Sequence, residues 1–344
     1  MKVELFITFP PFVVIEKQSI RGMRHHSLND QLKQAYAGAI SAFVTRTITQ
    51  PLDVLKIRFQ LQVEPLKKKN IVTPNQPPAE LPKSKYISMT QATRVILHEE
   101  GPRAFWKGHN AGQLMSITYG IMQFWTYEQI QMSLTQMPYL CSHQTLTSFL
   151  SGNVAGCAGT FFSMPFDVIR TRLVAQDHNA KDGYRNTVTA IPTIVRTEGV
   201  RGLFRGLLST MLQIGPLVGA NFMFYYSFND IARDFLKPRD GLLPTWCLLL
   251  TGGAAGVASK SAVYPLDFIK KRLQVQGFER QRQTFGANQS CTSIMHCIKL
   301  TLHHEGPLGF YKGMAPTLLK SGMTTALYFS IYDWFKRLFL HESL

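Results

Sequence analysis

At 344 residues the chain has room for two or three ordinary domains, and a net charge of +16 points to an anionic partner: nucleic acid, acidic lipid or a soluble anion. A mean hydropathy near zero argues against spans that are apolar all round, but not against helices that turn polar residues toward a wet cavity. The five cysteines (Cys141, Cys157, Cys247, Cys291 and Cys297) show no CxxC pair and no metal-ligand spacing, so they read as unpaired filler and no metal site is expected.

From the N-terminus, the apolar run around Phe6, Phe9 and Phe12 is broken by Pro10-Pro11 and lacks a small-residue cleavage pattern. Residues 1–33 are therefore expected to be a disordered extension rather than a secretory signal. Gln34 to Gln62 reads as a long helix, with small residues from Gly38 to Ala42 and the phrase Pro51-Leu-Asp53-Val-Leu-Lys56-Ile-Arg58 two-thirds of the way along. The Pro- and Lys-rich stretch Val63 to Lys85 reads as a linker. Ile87 to Glu100 is amphipathic and stops at Glu100-Gly101, a short surface helix with a C-terminal glycine. After Trp106-Lys107-Gly108, the apolar stretch His109 to Met132 is long enough to span a bilayer.

The same series then recurs twice. His143 to Gln176 carries Gly152 to Gly156 and Pro165-Phe-Asp167-Val-Ile-Arg170-Thr-Arg172, Asn186 to Glu198 ends at Gly199, and Phe204-Arg205-Gly206 leads into Leu207 to Phe235. Leu243 to Gln276 carries Gly252 to Gly256 and Pro265-Leu-Asp267-Phe-Ile-Lys270-Lys-Arg272, Cys291 to Glu305 ends at Gly306, and Tyr311-Lys312-Gly313 leads into Met314 to Phe339. Two linked motifs in three ordered copies, roughly a hundred residues apart, divide the chain into repeats at 34–135, 143–236 and 243–340, far longer than solenoid units. The small residues, in register in each copy, would let helices approach closely within a membrane. Each motif proline should kink its helix.

The repeated charges need partners. Within each proline motif the acid and the first base are three residues apart, on one helix face. At mid-depth in a bilayer an unpaired charge costs about 2.5–3.5 kcal/mol, so a ring of interhelical pairs would satisfy all six. Arg46 and Lys260 stand seven residues before Asp53 and Asp267, and Lys320 seven after Gly313. Three such cations facing one cavity would bind a multiply charged anion such as a phosphate ester; structural pairing or snorkelling would explain them as well. Tyr119, Gln123, Phe124 and Tyr127, then Gln213 and Asn221, then Tyr328 recur on the later helix of each repeat. They suit a flat-ringed solute, or lipid and core contacts.

The two motifs in triplicate resemble the signature of the mitochondrial carrier family, from about Gln34 to Phe339. The resemblance implies an all-α membrane protein: six transmembrane helices in three tandem repeats with threefold pseudo-symmetry, short matrix-side amphipathic helices, and a central site opened alternately to each side. It implies a multi-pass monomer of the inner mitochondrial membrane that exchanges anionic solutes. A matrix gate follows from Asp53, Lys56, Asp167, Arg170, Asp267 and Lys270, paired Asp53 to Lys270, Asp167 to Lys56 and Asp267 to Arg170. Gln60 and Gln274 match the family's gate braces, whereas Val174 replaces the third.

The family's cytoplasmic gate is complete only at Tyr332-Asp333-x-x-Lys336. It is reduced to Tyr127-Glu128-x-x-Gln131 in the first repeat and to Tyr225-Tyr226-x-x-Asn229 in the second, so a weak gate is expected. Stretches beyond the motifs, such as Glu99-Glu-Gly-Pro-Arg-Ala-Phe-Trp-Lys-Gly-His109 and Lys270-Lys-Arg-Leu-Gln-Val-Gln-Gly-Phe-Glu279, narrow the resemblance to a branch that imports thiamine pyrophosphate against a nucleotide. A carrier of adenine nucleotides or coenzyme A is the alternative. The implied substrate contacts are Arg46, Lys260, Lys320, Met115, Tyr119, Gln123, Gln213 and Ile214. Cardiolipin is the implied lipid partner at the Lys-Gly and Arg-Gly phrases, although the companion aromatic-x-Gly motif is altered to Tyr86-Ile-Ser88 and Tyr184-Arg-Asn186. No nucleic-acid-reading motif and no nucleophile-base pair or phosphate loop supports a nucleic-acid-binding protein or an enzyme, and no cofactor is expected.

Overall fold

The computed structural model describes residues 28–62, 85–135, 144–177, 183–236, 244–278 and 291–340. Most of the expected extension and linker, and Cys141, lie outside these. Among the described residues every regular element is helical. The first repeat contains α1 (Leu28–Leu61), α2 (Met89–Glu100) and α3 (His109–Thr135). The second contains α4 (Gln144–Ala175), α5 (Thr187–Glu198) and α6 (Leu207–Leu236), and the third α7 (Thr245–Gln274), α8 (Ile294–Glu305) and α9 (Met314–Leu340). A five-residue 3₁₀ turn precedes α3, α6 and α9 in turn.

The described residues fall into two compact units, one of those up to Asp53 together with those from Ala315 on, and the other of those between Val54 and Met314. In the second unit α3 packs along α4 and α6 along α7.

The helix ends follow local chemistry. Ser88, Asn186 and Ser293 are the N-caps of α2, α5 and α8, each side chain accepting a bond from the backbone N–H three residues on. Ser88 and Asn186 are the residues that replace glycine in the aromatic-x-Gly motif that the resemblance implies. At the other end Gly101, Gly199 and Gly306 stop the same helices. The motif prolines Pro51, Pro165 and Pro265 lie inside α1, α4 and α7, which continue through them.

Beside apolar core clusters, polar side chains are buried and large apolar ones exposed. Ile117, Ile121, Trp125, Met223 and Phe329 are more than half exposed, while Ser41, Thr45, Thr49 and Gln50 are buried on α1 and Ser151, Thr160 and Ser163 on α4. Outward apolar residues, with polar groups among the buried ones, suit helices surrounded by lipid. Among the described residues only Val200–Leu236 is both long and apolar enough to cross a membrane by composition, with a mean hydropathy of 1.3. On α1, α4 and α7 the proline motifs add buried charged groups to the apolar content.

The second unit is built around three buried ion clusters, one per repeat. In each, the last base of the proline motif meets the glutamate that ends the short amphipathic helix. Arg58 Nη1 lies 2.6 Å from Glu100 Oε1, Arg172 Nη1 2.5 Å from Glu198 Oε1, and Arg272 Nη1 2.5 Å from Glu305 Oε1. The second carboxylate oxygen takes the base of the following Lys-Gly or Arg-Gly phrase: Lys107 at 2.5 Å, Arg205 at 2.8 Å, and Lys312. One glutamate thus ties the end of the first long helix to the start of the second.

The same guanidiniums also join repeats. Arg172 donates to the carbonyls of Gln274 and Gln276, and Arg272 to those of Gln60 and Gln62, so each caps the C-terminal end of a long helix in a different repeat. The helix-start glycines complete the joints. A Cβ on Gly206, whose φ is 83°, would lie 3.1 Å from the Lys270 carbonyl oxygen, so glycine is needed there both for its conformation and for the close approach. Gly108 stands in the same relation to the Arg170 carbonyl and Gly313 to that of Lys56.

Removing one partner of such a cluster leaves a buried charge uncompensated. Arg172→Ala is expected to destabilise the protein by about 3–5 kcal/mol, whereas Lys85→Ala, whose partner Glu99 is half exposed, should cost under about 1 kcal/mol; thermal unfolding in detergent compares them. Burial alone would raise the Glu100 carboxyl, but the hydrogen bonds and charge of Arg58 and then Lys107 bring it down from 4.5 to about 2. A lowered folded-state value means that the stabilisation is complete above the unfolded value and is lost as pH falls through that interval. Unfolding followed across it should show a steeper loss in the native chain than in Glu100→Gln.

Candidate functional site

The acids and first bases of the proline motifs form interhelical pairs. In the second unit Lys56 Nζ lies 2.7 Å from Asp267 Oδ2, and Lys270 Nζ 2.7 Å from Asp167 Oδ2. This corrects the expected pairing: Asp167 takes Lys270 rather than Lys56, and Asp267 takes Lys56 rather than Arg170. The acid and base are three apart in every motif, so spacing alone permits either sense of pairing; only the packed helices decide. Arg170 is buried on α4.

The two motif glutamines are hydrogen-bonded to these acids. Gln60 Nε2 donates to Asp267 Oδ2 and to the Tyr264 hydroxyl, both at 3.0 Å, and Gln274 Nε2 donates to Asp167 Oδ2 at 2.8 Å. Val174, at the third such position, is buried and apolar.

Lys271 is an additional member of the cluster that the sequence reading missed. Its Nζ donates to Asp167 Oδ1 at 2.9 Å, to Thr171 Oγ1 at 3.0 Å and to Gln274 Oε1 at 2.9 Å. Asp167 is consequently held on both oxygens, by two lysines and an amide. The available signal was the doubled base Lys270-Lys271, present only in the third copy; Ile57 and Thr171 occupy the equivalent places.

In the first unit the expected substrate residue Lys320 lies 2.6 Å through its Nζ from Asp53 Oδ1. Arg46 is buried on α1, two turns before Asp53, and Lys260 is partly buried on α7. In the second unit the structure brings Tyr119 and Ile214 together around the small residues of α4. A Cβ on Gly156 would lie 3.3 Å from Ile214 Cγ2 and 3.8 Å from the Tyr119 hydroxyl, and one on Gly159 would lie 3.0 Å from the Tyr119 carbonyl. Met115 and Gln123 are partly buried one turn to either side of Tyr119, and Gln213 is partly buried beside Ile214.

The expected cytoplasmic-gate residues Glu128 and Asp333 are exposed, and the Lys336 side chain lies outside the described residues. Where the first repeat has Gln131 in place of a base, its Nε2 donates to the Tyr127 hydroxyl at 3.0 Å. Asn229, at the corresponding place in the second repeat, accepts from Thr251 Oγ1 at 2.6 Å and ties α6 to α7.

The acids of the proline motifs thus meet bases in ion pairs within each unit. Among the described residues no cluster of His, Cys, Asp and Glu has the arrangement of a metal site. If Lys271 shares Asp167 with Lys270, a double-mutant cycle of Lys271→Met with Asp167→Asn should give a coupling of about 0.5–3 kcal/mol in thermal unfolding. Additive single effects would show that Lys271 acts elsewhere.

The comparisons with known proteins agree with this geometry. A family model described as "Mitochondrial carrier protein" matches residues 29–138, 142–235 and 242–343, one segment for each repeat. The chain is 38% identical over 311 residues to the mitochondrial thiamine pyrophosphate carrier of Homo sapiens, covering 90% of this chain and 93% of that protein. It is 40% identical over 308 residues to the protein of the same name from Bos taurus, covering 89% and 92%. With the mitochondrial thiamine diphosphate carrier 2 of Zea mays it shares 35% identity over 322 residues, 88% of this chain and 93% of that one. Three ordered matches to one family model, over three repeats that each close on the same glutamate-centred ion cluster, establish that the chain belongs to the mitochondrial carrier family.

Proposed function

We propose that this carrier imports thiamine pyrophosphate into the mitochondrial matrix by alternating access, in exchange for a nucleotide. Family membership makes it a multi-pass transport protein of the inner mitochondrial membrane rather than an enzyme. The observation that carries the substrate is the set of relatives named for thiamine pyrophosphate or diphosphate, which align with this chain over nearly its whole length.

In this reading α1, α3, α4, α6, α7 and α9 are the six membrane spans, arranged as three tandem repeats with threefold pseudo-symmetry. The helices α2, α5 and α8 lie at the matrix surface. Arg46, Lys260 and Lys320 supply positive charge to the diphosphate, and Met115, Tyr119, Gln123, Gln213 and Ile214 contact the ring portion. Tyr119 offers a π face to the cationic thiazolium.

The proline-motif pairs form the matrix gate. Lys320 is shared between the two tasks: the Asp53 carboxylate holds it, and a substrate phosphate would compete for the same ammonium. Phosphate binding then loosens a gate acid, and the ligand drives opening by its preference for the state in which Lys320 has changed partner. On the opposite side Glu128, Asp333 and Lys336 form a gate with too few charges to close as a full ring. The Lys-Gly and Arg-Gly helix starts take cardiolipin phosphate, and the carrier works as a monomer.

The test is uptake of labelled thiamine pyrophosphate by proteoliposomes of purified protein loaded with ATP, coenzyme A or neither. Uptake that requires an internal anion, and falls at least tenfold in a correctly folded Lys320→Ala variant, is the expected result. Vesicles that exchange ATP or coenzyme A but take up no thiamine pyrophosphate would overturn the substrate.

A further inference from the structure

The three repeats present the same structural position with different chemistry. Two residues before the N-cap of each short helix, and four after it, the side chains face each other across the first helical turn. In the first two repeats these positions hold Tyr86 with Ala92 and Tyr184 with Ala190, all buried. The tyrosine hydroxyl accepts from the repeat's buried arginine, Arg58 at 3.1 Å and Arg172 at 3.3 Å. In the third repeat both positions are cysteine, and the Sγ atoms of Cys291 and Cys297 lie 2.6 Å apart, closer than two unbonded sulfurs ordinarily rest.

The remaining contacts show that the tyrosine's task has passed to other groups. Arg272 donates instead to Thr301 Oγ1 at 3.2 Å, at a position held by Ile96 and Ile194 in the other repeats, and its guanidinium lies 4.3 Å from the Phe268 ring centroid. Cys291 is therefore not required to hold the arginine. Two coordinated departures from the repeat pattern, tyrosine to cysteine and alanine to cysteine, leave two thiols in contact within the apolar cluster formed by Phe268, Ile269 and Leu273.

We propose that Cys291 and Cys297 are a modification site, closing to an intramolecular disulfide when the protein meets a peroxide. The peroxide oxidises the Cys291 thiol, which retains a trace of exposure whereas Cys297 has none, to a sulfenic acid and is itself reduced to water. The Cys297 sulfur then attacks Cys291 Sγ; the S–S bond forms as the S–O bond breaks, and the oxygen leaves with the thiol proton as a second water. Two electrons pass from the thiol pair to the peroxide in total. The hydrogen bond from Cys291 and then burial raise the Cys297 thiol above its ordinary value, so Cys297 stays protonated, and burial of both sulfurs means that reaction waits for a local opening that admits the oxidant. The product is a clasp across the N-terminus of α8 that the other two repeats cannot make.

The purified full-length chain in detergent, treated with hydrogen peroxide, then denatured, alkylated and digested with trypsin, tests this directly. The peptide from Gln283 to Lys299 contains both thiols and no other cysteine. The expected result is that this peptide loses two hydrogen atoms and escapes alkylation, and that a dithiol reductant reverses both changes. Cys291→Ser should leave Cys297 open to alkylation, while Cys157→Ser and Cys247→Ser leave the peptide's oxidation intact. Full alkylation of both thiols after peroxide, separate oxidation of each to sulfinic acid, or a bridge to a different cysteine would overturn the proposal.

Discussion

The second unit depends on a guanidinium kept away from water. Arg58, Arg172 and Arg272 are buried, and an arginine cannot shed its proton to escape the desolvation penalty. Its charge must be met by geometry, and in each repeat it is met by the glutamate ending the short amphipathic helix. That requirement fixes the length and end point of α2, α5 and α8, because the carboxylate has to arrive at one place. The same glutamate reaches the base that opens the next long helix, so one buried carboxylate sets the angle at which the chain turns back. Arg172 and Arg272 then use their remaining donors on carbonyls of a different repeat, and local turn geometry becomes the joint between modules.

Against this common frame the proposed gate is uneven. Asp267 is held by one lysine and one glutamine, and Asp167 by two lysines and one glutamine. Val174 removes a brace, while Lys271 adds a donor that no other repeat supplies. A ring built from unequal pairs has a weakest member, and its opening free energy is not shared equally among the repeats. A substrate of low symmetry, with charge at one end and a ring at the other, is well matched to such a device. It does not need to act on three equivalent locks.

Much of the fold was legible because the features that create it are local and repeated. Gly101, Gly199 and Gly306 mark helix ends in the sequence as plainly as in the structure, and the boundaries of the nine expected helices lie within about six residues of those seen among the described residues. Among the described residues composition detects only α6 with its preceding turn as an apolar span, while α1, α4 and α7 carry the charges of the proline motifs. The members of the proposed gate could be named from the motif, but their pairing sense could not. Asp53, Asp167 and Asp267 each have a base on both neighbouring repeats, and the choice lies in packing. Lys271 was hidden for a different reason: in a single copy it looks like one more base in a basic stretch. The glutamate clusters were visible as repeated letters, yet their meaning rests on distances between elements more than twenty residues apart.

The glycines that open α3, α6 and α9 have a mechanical consequence. Gly108 rests on the main-chain carbonyl of Arg170, Gly206 on that of Lys270 and Gly313 on that of Lys56: in each case the residue underfoot is the first base of another repeat's proline motif, and the series runs from the first repeat to the second, the second to the third and the third back to the first. There is little slack at these contacts, because an added methyl group would lie 3.0–3.1 Å from the carbonyl oxygen and the neighbour would have to shift. A tilt of one helix at its proline motif would press directly on the foot of the helix standing on it. Within the second unit these three contacts therefore form a closed cycle, each repeat's helix start resting on the next repeat's proline motif.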